Sequence, residues 1–279
     1  MIVIKIGGSI VDGLHSSVID DIKNIACIND NSSKEGKDKF VIVHGGGKEV
    51  TRIANMLGKE QRFVVSPEGI RSRYTDKETI EIFTMVMAGK INKEIVSLLL
   101  KNGINAIGLS GIDAAIINAE RKKRLIIIDE RGRRVAIDGG YTGKISRVNT
   151  SLLNMLLDAN YIPVIAPVAI GNEFEMLNVD GDRAAAYIAG GLRADRVIFL
   201  TDVNGLMMNG KLVEHLTLEE AKEMLPRIGH GMEKKVLACI EALSMGVKEA
   251  VIASGKVENP ISNALKHINC TVISNGNRS

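Results

Sequence analysis

Two lysines, one carboxylate and a pair of glycine-rich loops carry the chemistry that can be read from this chain. Lys5 closes a β-branched run and opens into Lys5-Ile-Gly7-Gly8-Ser9, and a second run ends in Val43-His44-Gly45-Gly46-Gly47. Glycines at the carboxyl ends of strands let backbone N–H groups approach an anion closely, and a following helix adds partial positive charge. The bland alternative is a pair of tight turns. Lys235 lies in Gly229-His-Gly-Met-Glu-Lys-Lys235, at the start of a predicted helix. Asp180 and Asp182 sit in Asn178-Val-Asp180-Gly-Asp182, before an alanine-rich helix, and either could hold the two lysines or cap that helix. Together these groups suit phosphoryl transfer, which needs positive charge beside the moving group and accurate alignment, and little covalent chemistry from the protein. A lysine about 4 Å from a phosphoryl oxygen contributes on the order of 4 kcal/mol at an effective dielectric of ~20.

Other positions are open to two readings. Thr201-Asp202-Val-Asn204-Gly205 follows a strand and reads as a nucleotide-binding loop or an ordinary turn. Arg71-Ser-Arg73-Tyr74 offers a guanidinium fork for a carboxylate, or is an exposed basic loop. Two familiar phosphate fingerprints fail. Asp138-Gly-Gly-Tyr-Thr-Gly143-Lys144-Ile145 lacks the first glycine and the hydroxyl of a P-loop, and Gly45-Gly46-Gly47 lacks the final glycine of a dinucleotide loop. His44, His215, His230 and His267 show no metal-ligand spacing and read as turn or surface residues, so no protein metal site is expected.

The elements needed to position these groups are legible. Short apolar runs at Ile2–Ile6, Phe40–Val43, Ile104–Leu109, Tyr161–Ile165, Arg196–Leu200, Ala250–Ala253 and Thr271–Ile273 read as strands covered on both faces. Helical patterns lie between them at Lys48–Leu57, Thr75–Lys101, Asp182–Gly190, Leu218–Leu225, Met232–Met245 and Ile261–Lys266. Thr75 and Glu78 fit a capping box at the start of the second. The alternation predicts an α/β fold with a largely parallel sheet. Residues 115–147 predict antiparallel hairpins, and Asn29–Lys39 a polar surface loop. A soft lobe boundary near 168–178 divides the chain into 1–170 and 171–279.

Composition narrows the function classes. The formal charge is +3 and aromatics are 3%, which opposes a nucleic-acid-binding module. No apolar run approaches the ~20 residues of a membrane span. Cys27, Cys239 and Cys270 form no CxxC pair, so a reducing cytoplasm is the plain reading.

Lys-Ile-Gly-Gly-Ser, His-Gly-Gly-Gly, Asn-Val-Asp-Gly-Asp, Leu-Thr-Asp-Val-Asn-Gly and Gly-Met-Glu-Lys-Lys, in this order, resemble the amino acid kinase family over nearly the whole chain. Gly89-Lys-Ile-Asn-Lys-Glu-Ile and Gly108-Leu-Ser-Gly111 look like its acetylglutamate kinase branch. Ser66-Pro-Glu-Gly-Ile-Arg-Ser-Arg-Tyr-Thr-Asp is similar to a sub-branch that phosphorylates aminoadipate or glutamate held on a small acidic amino-group carrier protein, in lysine and arginine biosynthesis. The resemblance implies a three-layer α/β/α sandwich, with the acceptor in the amino lobe and ATP in the carboxyl lobe. It gives Lys5 and Lys235 as transition-state lysines, Lys235 rather than Lys234 by its spacing from Met232, and Asp182 as the carboxylate that organises them. Gly7 and Gly8 match the phosphate turn, and Thr201, Asp202 and Gly205 the adenine-nucleotide loop. Gly46, Gly47, Arg71 and Asn178 match acceptor-binding positions. Mg2+ would arrive on the ATP phosphates. A homodimer is implied, with Lys77–Lys101 as an interface helix.

The sequence also departs from the pattern. Ala114-Ala115 stand where related sequences have glycine, and about two extra residues around Arg71-Ser-Arg73 leave open which arginine meets the acceptor carboxylate. A kinase of free acetylglutamate is the nearest rival. A catalytically inactive nucleotide sensor is the rival of another class.

Overall fold

The computed structural model describes residues 1–11, 16–27, 38–229 and 231–276; most of the 29–39 loop and His230 lie outside them. Eight strands form the main sheet: β1 (Ile2–Ile6), β2 (Phe40–His44), β3 (Ala106–Ser110), β4 (Ile162–Ala166), β5 (Arg196–Thr201), β6 (His215–Thr217), β7 (Glu249–Ser254) and β8 (Thr271–Ser274). Their spatial order is β6-β8-β7-β5-β1-β2-β4-β3. Every neighbouring pair is parallel except β7 and β8.

Strand periodicity builds two cores from one sheet. Ile2, Ile4 and Ile6 face one side of β1, with Ile42, Ile198 and Val251 beside them. That side is covered by α1 (Ser16–Cys27), α2 (Gly47–Met56), α3 (Lys77–Thr84) and α4 (Asn92–Lys101). Val3 faces the other side with Val43, Val197 and Phe199, under α5 (Ser151–Asp158), α6 (Gly181–Gly191), α7 (Leu218–Met224) and α8 (Met232–Ser244). A last helix, α9 (Pro260–Leu265), returns to the first side. The result is the expected three-layer α/β/α sandwich. Ala184, Ala185 and Ala186 are fully buried, so α6 lies close against the sheet.

The pattern over Thr75–Lys101 is one helical rod in three pieces. Between α3 and α4, residues Met85–Ile91 adopt a π-helix, which inserts an extra residue into the turn. The expected capping box at Thr75 is not the cap observed. Asp76 is the N-cap and accepts from the Thr79 amide at 2.8 Å, while Thr75 is buried and accepts from the Asn178 side chain at 3.0 Å.

Residues 115–147 form antiparallel pairs as expected. Ile117–Arg121 pairs with Gly143–Val148, and Arg124–Ile128 with Arg134–Asp138. Ala114 and Ala115 both take left-handed backbone, with φ of 50° and 52°. That is the conformation glycine tolerates best, which accounts for the glycine preference at those positions. Arg71–Arg73 is a short strand paired with Phe63–Val65 and not a loop.

Candidate active site

The alternation of β1 puts Lys5 on the same side as Val3, under α6. Its Nζ lies 2.6 Å from Asp182 Oδ1, and Lys235 Nζ lies 3.0 Å from Oδ2 of the same carboxylate. Lys5 and Asp182 are each only 6% exposed. The adjacent carboxylates divide the work. Asp180 caps α6, accepting from the amides of Asp182 and Arg183 at 2.9 and 3.1 Å. That leaves both oxygens of Asp182, one turn position further on, for the lysines. Lys234, next in sequence, reaches elsewhere and donates to the Arg71 carbonyl at 2.6 Å.

Electrostatics explain why three buried charges coexist. Burial alone would raise the Asp182 pKa, but Lys5 and Lys235 outweigh it and hold the carboxyl below its usual 3.8. Burial likewise opposes the Lys235 ammonium, and Asp182 overcomes it so that its pKa ends raised. Two ammonium groups share one carboxylate, so the cluster keeps one net positive charge.

Two clefts meet at this cluster. One, of about 680 Å³, is lined by Lys5, Gly7, Gly8, Thr201, Asp202 and Gly205, with Lys48 and Lys235 also on its wall. The other, of about 320 Å³, is lined by Lys5, Gly46, Gly47, Arg71 and Asn178, with Phe63 and Arg73. Lys5 and Gly47 belong to both. The glycine loops that separate the clefts touch. A Cβ on Gly8 would stand 3.1 Å from the Gly46 nitrogen, and one on Gly45 would stand 2.9 Å from the Gly8 nitrogen. Each loop also extends a strand register, Gly7 N–H donating to Leu200 O and Gly45 N–H to Ile6 O. The cradle is therefore backbone, built where side chains do not fit, and it suits a polyphosphate. The larger cleft adds three lysines and a single carboxylate, Asp202. That lining fits a cation that comes with the phosphates and takes most of its ligands from them and from water.

Gly46 is the most constrained of these glycines. Its φ is 151°, and a Cβ would fall 2.1 Å from Ile91 Cδ1 and 3.1 Å from Met87 Sδ. Gly46→Ala is expected to cost about 1–3 kcal/mol of stability through strain and overpacking. It should raise the acceptor KM more than the ATP KM, because Gly46 lines only the smaller cleft. Thermal unfolding and steady-state kinetics of the variant test both points, and equal effects on the two KM values would refute the second.

All twelve sequence-assigned site residues thus converge on two connected clefts. Arg71 and Arg73 differ in their freedom. Arg73 donates to Gly47 O at 2.8 Å, to Thr51 Oγ1 at 2.9 Å and to Gln61 Oε1, so its guanidinium braces the second glycine loop. Arg71 is exposed, and its guanidinium stacks on Phe63 at 3.9 Å. His44 corrects the sequence reading. It is fully buried at the end of β2, where Nδ1–H donates to Gly45 O at 2.9 Å and Nε2 accepts from Asn92 at 3.3 Å. Burial lowers its pKa to about 4, so it is a neutral brace beneath the loop. Asn92 also donates to Val164 O at 2.9 Å, and it begins α4 directly after the π-helix. The sequence signal for this brace was present in Gly89-Lys-Ile-Asn92, but nothing in the pattern tied it to His44.

A buried carboxylate shared by two lysines at the meeting point of a polyphosphate cradle and a second cleft is an arrangement for phosphoryl transfer. The chain belongs to the amino acid kinase family, whose model matches residues 1–254. It is a kinase. A provisionally named LysW-aminoadipate/LysW-glutamate kinase of Nitrosopumilus maritimus is 63% identical over 98% of this chain and 99% of its own length. The LysW-aminoadipate/LysW-glutamate kinase of Saccharolobus solfataricus is 46% identical over 99% of this chain and all of its own. Carbamate kinase from Giardia lamblia bound to AMP-PNP shares the fold at a TM-score of 0.66 and 17% identity, with 98% of each chain covered.

Proposed function

We propose that this protein transfers the γ-phosphoryl group of ATP to the side-chain carboxylate of aminoadipate or glutamate carried on an amino-group carrier protein, a step of lysine or arginine biosynthesis. The observation that carries the reading is the Lys5–Asp182–Lys235 cluster at the junction of the two clefts. The names and identities of the full-length relatives support the acceptor class.

In this mechanism ATP lies in the larger cleft, its phosphates against Gly7 and Gly8 and its adenosine along Thr201, Asp202 and Gly205. The acceptor lies in the smaller cleft, held by Arg71, Asn178 and the amides of Gly46 and Gly47. An oxygen of the acceptor carboxylate attacks the γ-phosphorus in line. The new O–P bond forms as the bond to the β-phosphate oxygen breaks, and its electron pair leaves with ADP. The acceptor is already ionised at neutral pH, so no general base is needed. Lys5 and Lys235 face the equatorial oxygens, where charge is spread in the transition state. Asp182 fixes their separation. Mg2+, brought by ATP, would neutralise phosphate charge. The chemistry also explains a blocked amine, because a free α-amine could attack the activated carboxyl and cyclise.

The same reading takes 1–170 as the acceptor lobe and 171–279 as the ATP lobe, with Gly7 and Gly8 reaching the nucleotide from the first and Asn178 reaching the acceptor from the second. It includes a homodimer through the Lys77–Lys101 rod, on which Met85 and Leu100 are more than half exposed. It also includes a cytoplasmic location; among the described residues no helix is long and apolar enough to cross a membrane.

Hydroxylamine trapping of the acyl phosphate, together with ADP release, tests the proposal. Carrier-linked aminoadipate and carrier-linked glutamate are expected to turn over, and free acetylglutamate poorly. Turnover on acetylglutamate alone would move the protein to the acetylated-acceptor reaction. ATP binding with no acyl phosphate on any acceptor would leave a nucleotide sensor.

A further inference from the structure

The acceptor cleft continues into a second chamber of about 350 Å³. The two share Ser72, Arg73, Asn178, Val179, Asp180 and Lys234, but only the cleft reaches Lys5. The chamber lies between the Phe63–Arg73 hairpin and the Arg124–Asp138 hairpin. Val64, Ile70, Leu125, Ile126 and Ile127 give it apolar walls. Its charged lining is mostly positive, with Arg73, Lys122, Arg183 and Lys234 against Glu68 and Asp180. Most of these charges are engaged. Arg183 pairs with Glu241, Lys234 with the Arg71 carbonyl, and Asp180 with the amides of α6.

Lys122 is the exception. Its backbone is pinned, with N–H donating to Thr142 O at 2.9 Å and Gly139 packed where a Cβ would fall 1.5 Å from the Lys122 carbonyl oxygen. Its half-buried ammonium pairs with no carboxylate among the described residues. The charges that act on it are Arg183 and Lys144, both of its own sign, and burial with their repulsion lowers its pKa. Thr142, on the same wall, has a buried Oγ1 with no hydrogen-bond partner among the described residues. A half-buried cation on the chamber wall, held among cations and with no carboxylate against it, is a group waiting for an anion.

This inference rests on the carrier-linked reading. An acceptor whose amine is tied in an amide extends beyond the small cleft, and the chamber is where the cleft continues away from Lys5. The geometry points to the chamber as the seat of the carrier segment joined to the acceptor, with Lys122 binding a carboxylate of that segment. The apolar walls would cover its aliphatic parts.

The test compares wild type with Lys122→Met and Lys122→Gln on carrier-linked aminoadipate and on acetylglutamate. A charged hydrogen bond of this kind supports a tenfold or greater change. The ratio of kcat/KM for the carrier-linked acceptor to that for acetylglutamate should fall at least tenfold in both variants, through KM. The salt dependence of the carrier-linked KM should flatten, while the Kd for MgATP stays constant. The unliganded variants should melt at or above the wild-type temperature, because an uncompensated buried charge has been removed. A carrier-linked KM within twofold of wild type overturns the inference and leaves the proposed function intact. Equal losses on both acceptors, or variants that melt lower or fail to fold, make Lys122 structural and overturn it as well. A wild type inactive on carrier-linked acceptors overturns the carrier reading and this inference with it.

Discussion

Lys5→Met is expected to lower kcat by about a thousandfold. The expected size follows from one unit charge placed about 4 Å from the migrating phosphoryl group, on the order of 4 kcal/mol of transition-state stabilisation at an effective dielectric near 20. Methionine keeps most of the side-chain volume inside the sandwich and leaves Asp182 with Lys235 as partner. Loss of charge, and not loss of fold, is then what the rate reports. The Kd for MgATP should change far less than kcat, because the glycine amides and the remaining lysines of the larger cleft persist. Lys5→Arg should rescue little, since a planar guanidinium cannot occupy the point position of a compact ammonium. ADP release at saturating substrates, with folding checked by thermal melting, decides the matter. A kcat within tenfold of wild type would remove Lys5 from the reaction.

Asp182→Asn strikes both function and fold. Replacing the shared carboxylate by a neutral amide leaves Lys5 and Lys235 buried with their mutual repulsion uncompensated. Breaking a buried ion pair from one side costs about 3–5 kcal/mol. The effect carries a pH signature with a definite sign. Burial pushes the Asp182 carboxyl up, the two lysines pull it down further, and the native pKa ends below the ordinary 3.8. A group held lower in the native state than in the unfolded chain stabilises above its unfolded pKa and loses that contribution as pH falls through the native one. The stability gap between wild type and Asp182→Asn should therefore be constant above about pH 5 and narrow below about pH 4. Urea midpoints from pH 6 to pH 3 measure it. A gap that does not narrow, or an Asn variant as stable as wild type, would contradict the electrostatic account.

Seven of the eight strands of the sheet are legible as short apolar runs; the three-residue edge strand β6, with His215 exposed, is not. Ile2–Ile6 was read with the observed ends, since five consecutive apolar or aliphatic-stemmed residues between a terminus and Gly7 admit no other register. The division of Asp180 from Asp182 was open in the sequence, because both residues are good caps and only the position of α6 on the sheet decides which faces Lys5. The π-helix was hidden, because Met85–Ile91 keeps an apolar pattern compatible with either helical period. Helices α1 and α5 lie outside the helical patterns read from the sequence, although Leu153 and Leu157 carry the i, i+4 signal of a buried face. His44 was misread for a different reason. A histidine before three glycines looks like part of a turn, and only the parallel register with β1 and β4 shows that the strand carries it into the core. The Arg71–Arg73 strand is too short and too charged for any strand pattern, and it exists because Phe63–Val65 lies alongside it. Lys122 carried no signal at all, since its interest lies in what fails to surround it.

The position of β1 has a mechanical consequence. It is bonded along its whole length to β5 on one side and to β2 on the other, at the middle of the eight-stranded sheet. Its amides can open to solvent only when the whole sheet comes apart, so Lys5 sits in the slowest-exchanging part of the molecule. The Cα from which that side chain springs is therefore held in place by the sheet on both sides. Whatever timing the enzyme exerts over its reaction must come from parts hung on the periphery, such as the glycine-flanked start of α8 that brings Lys235 and the hairpin that carries Arg71.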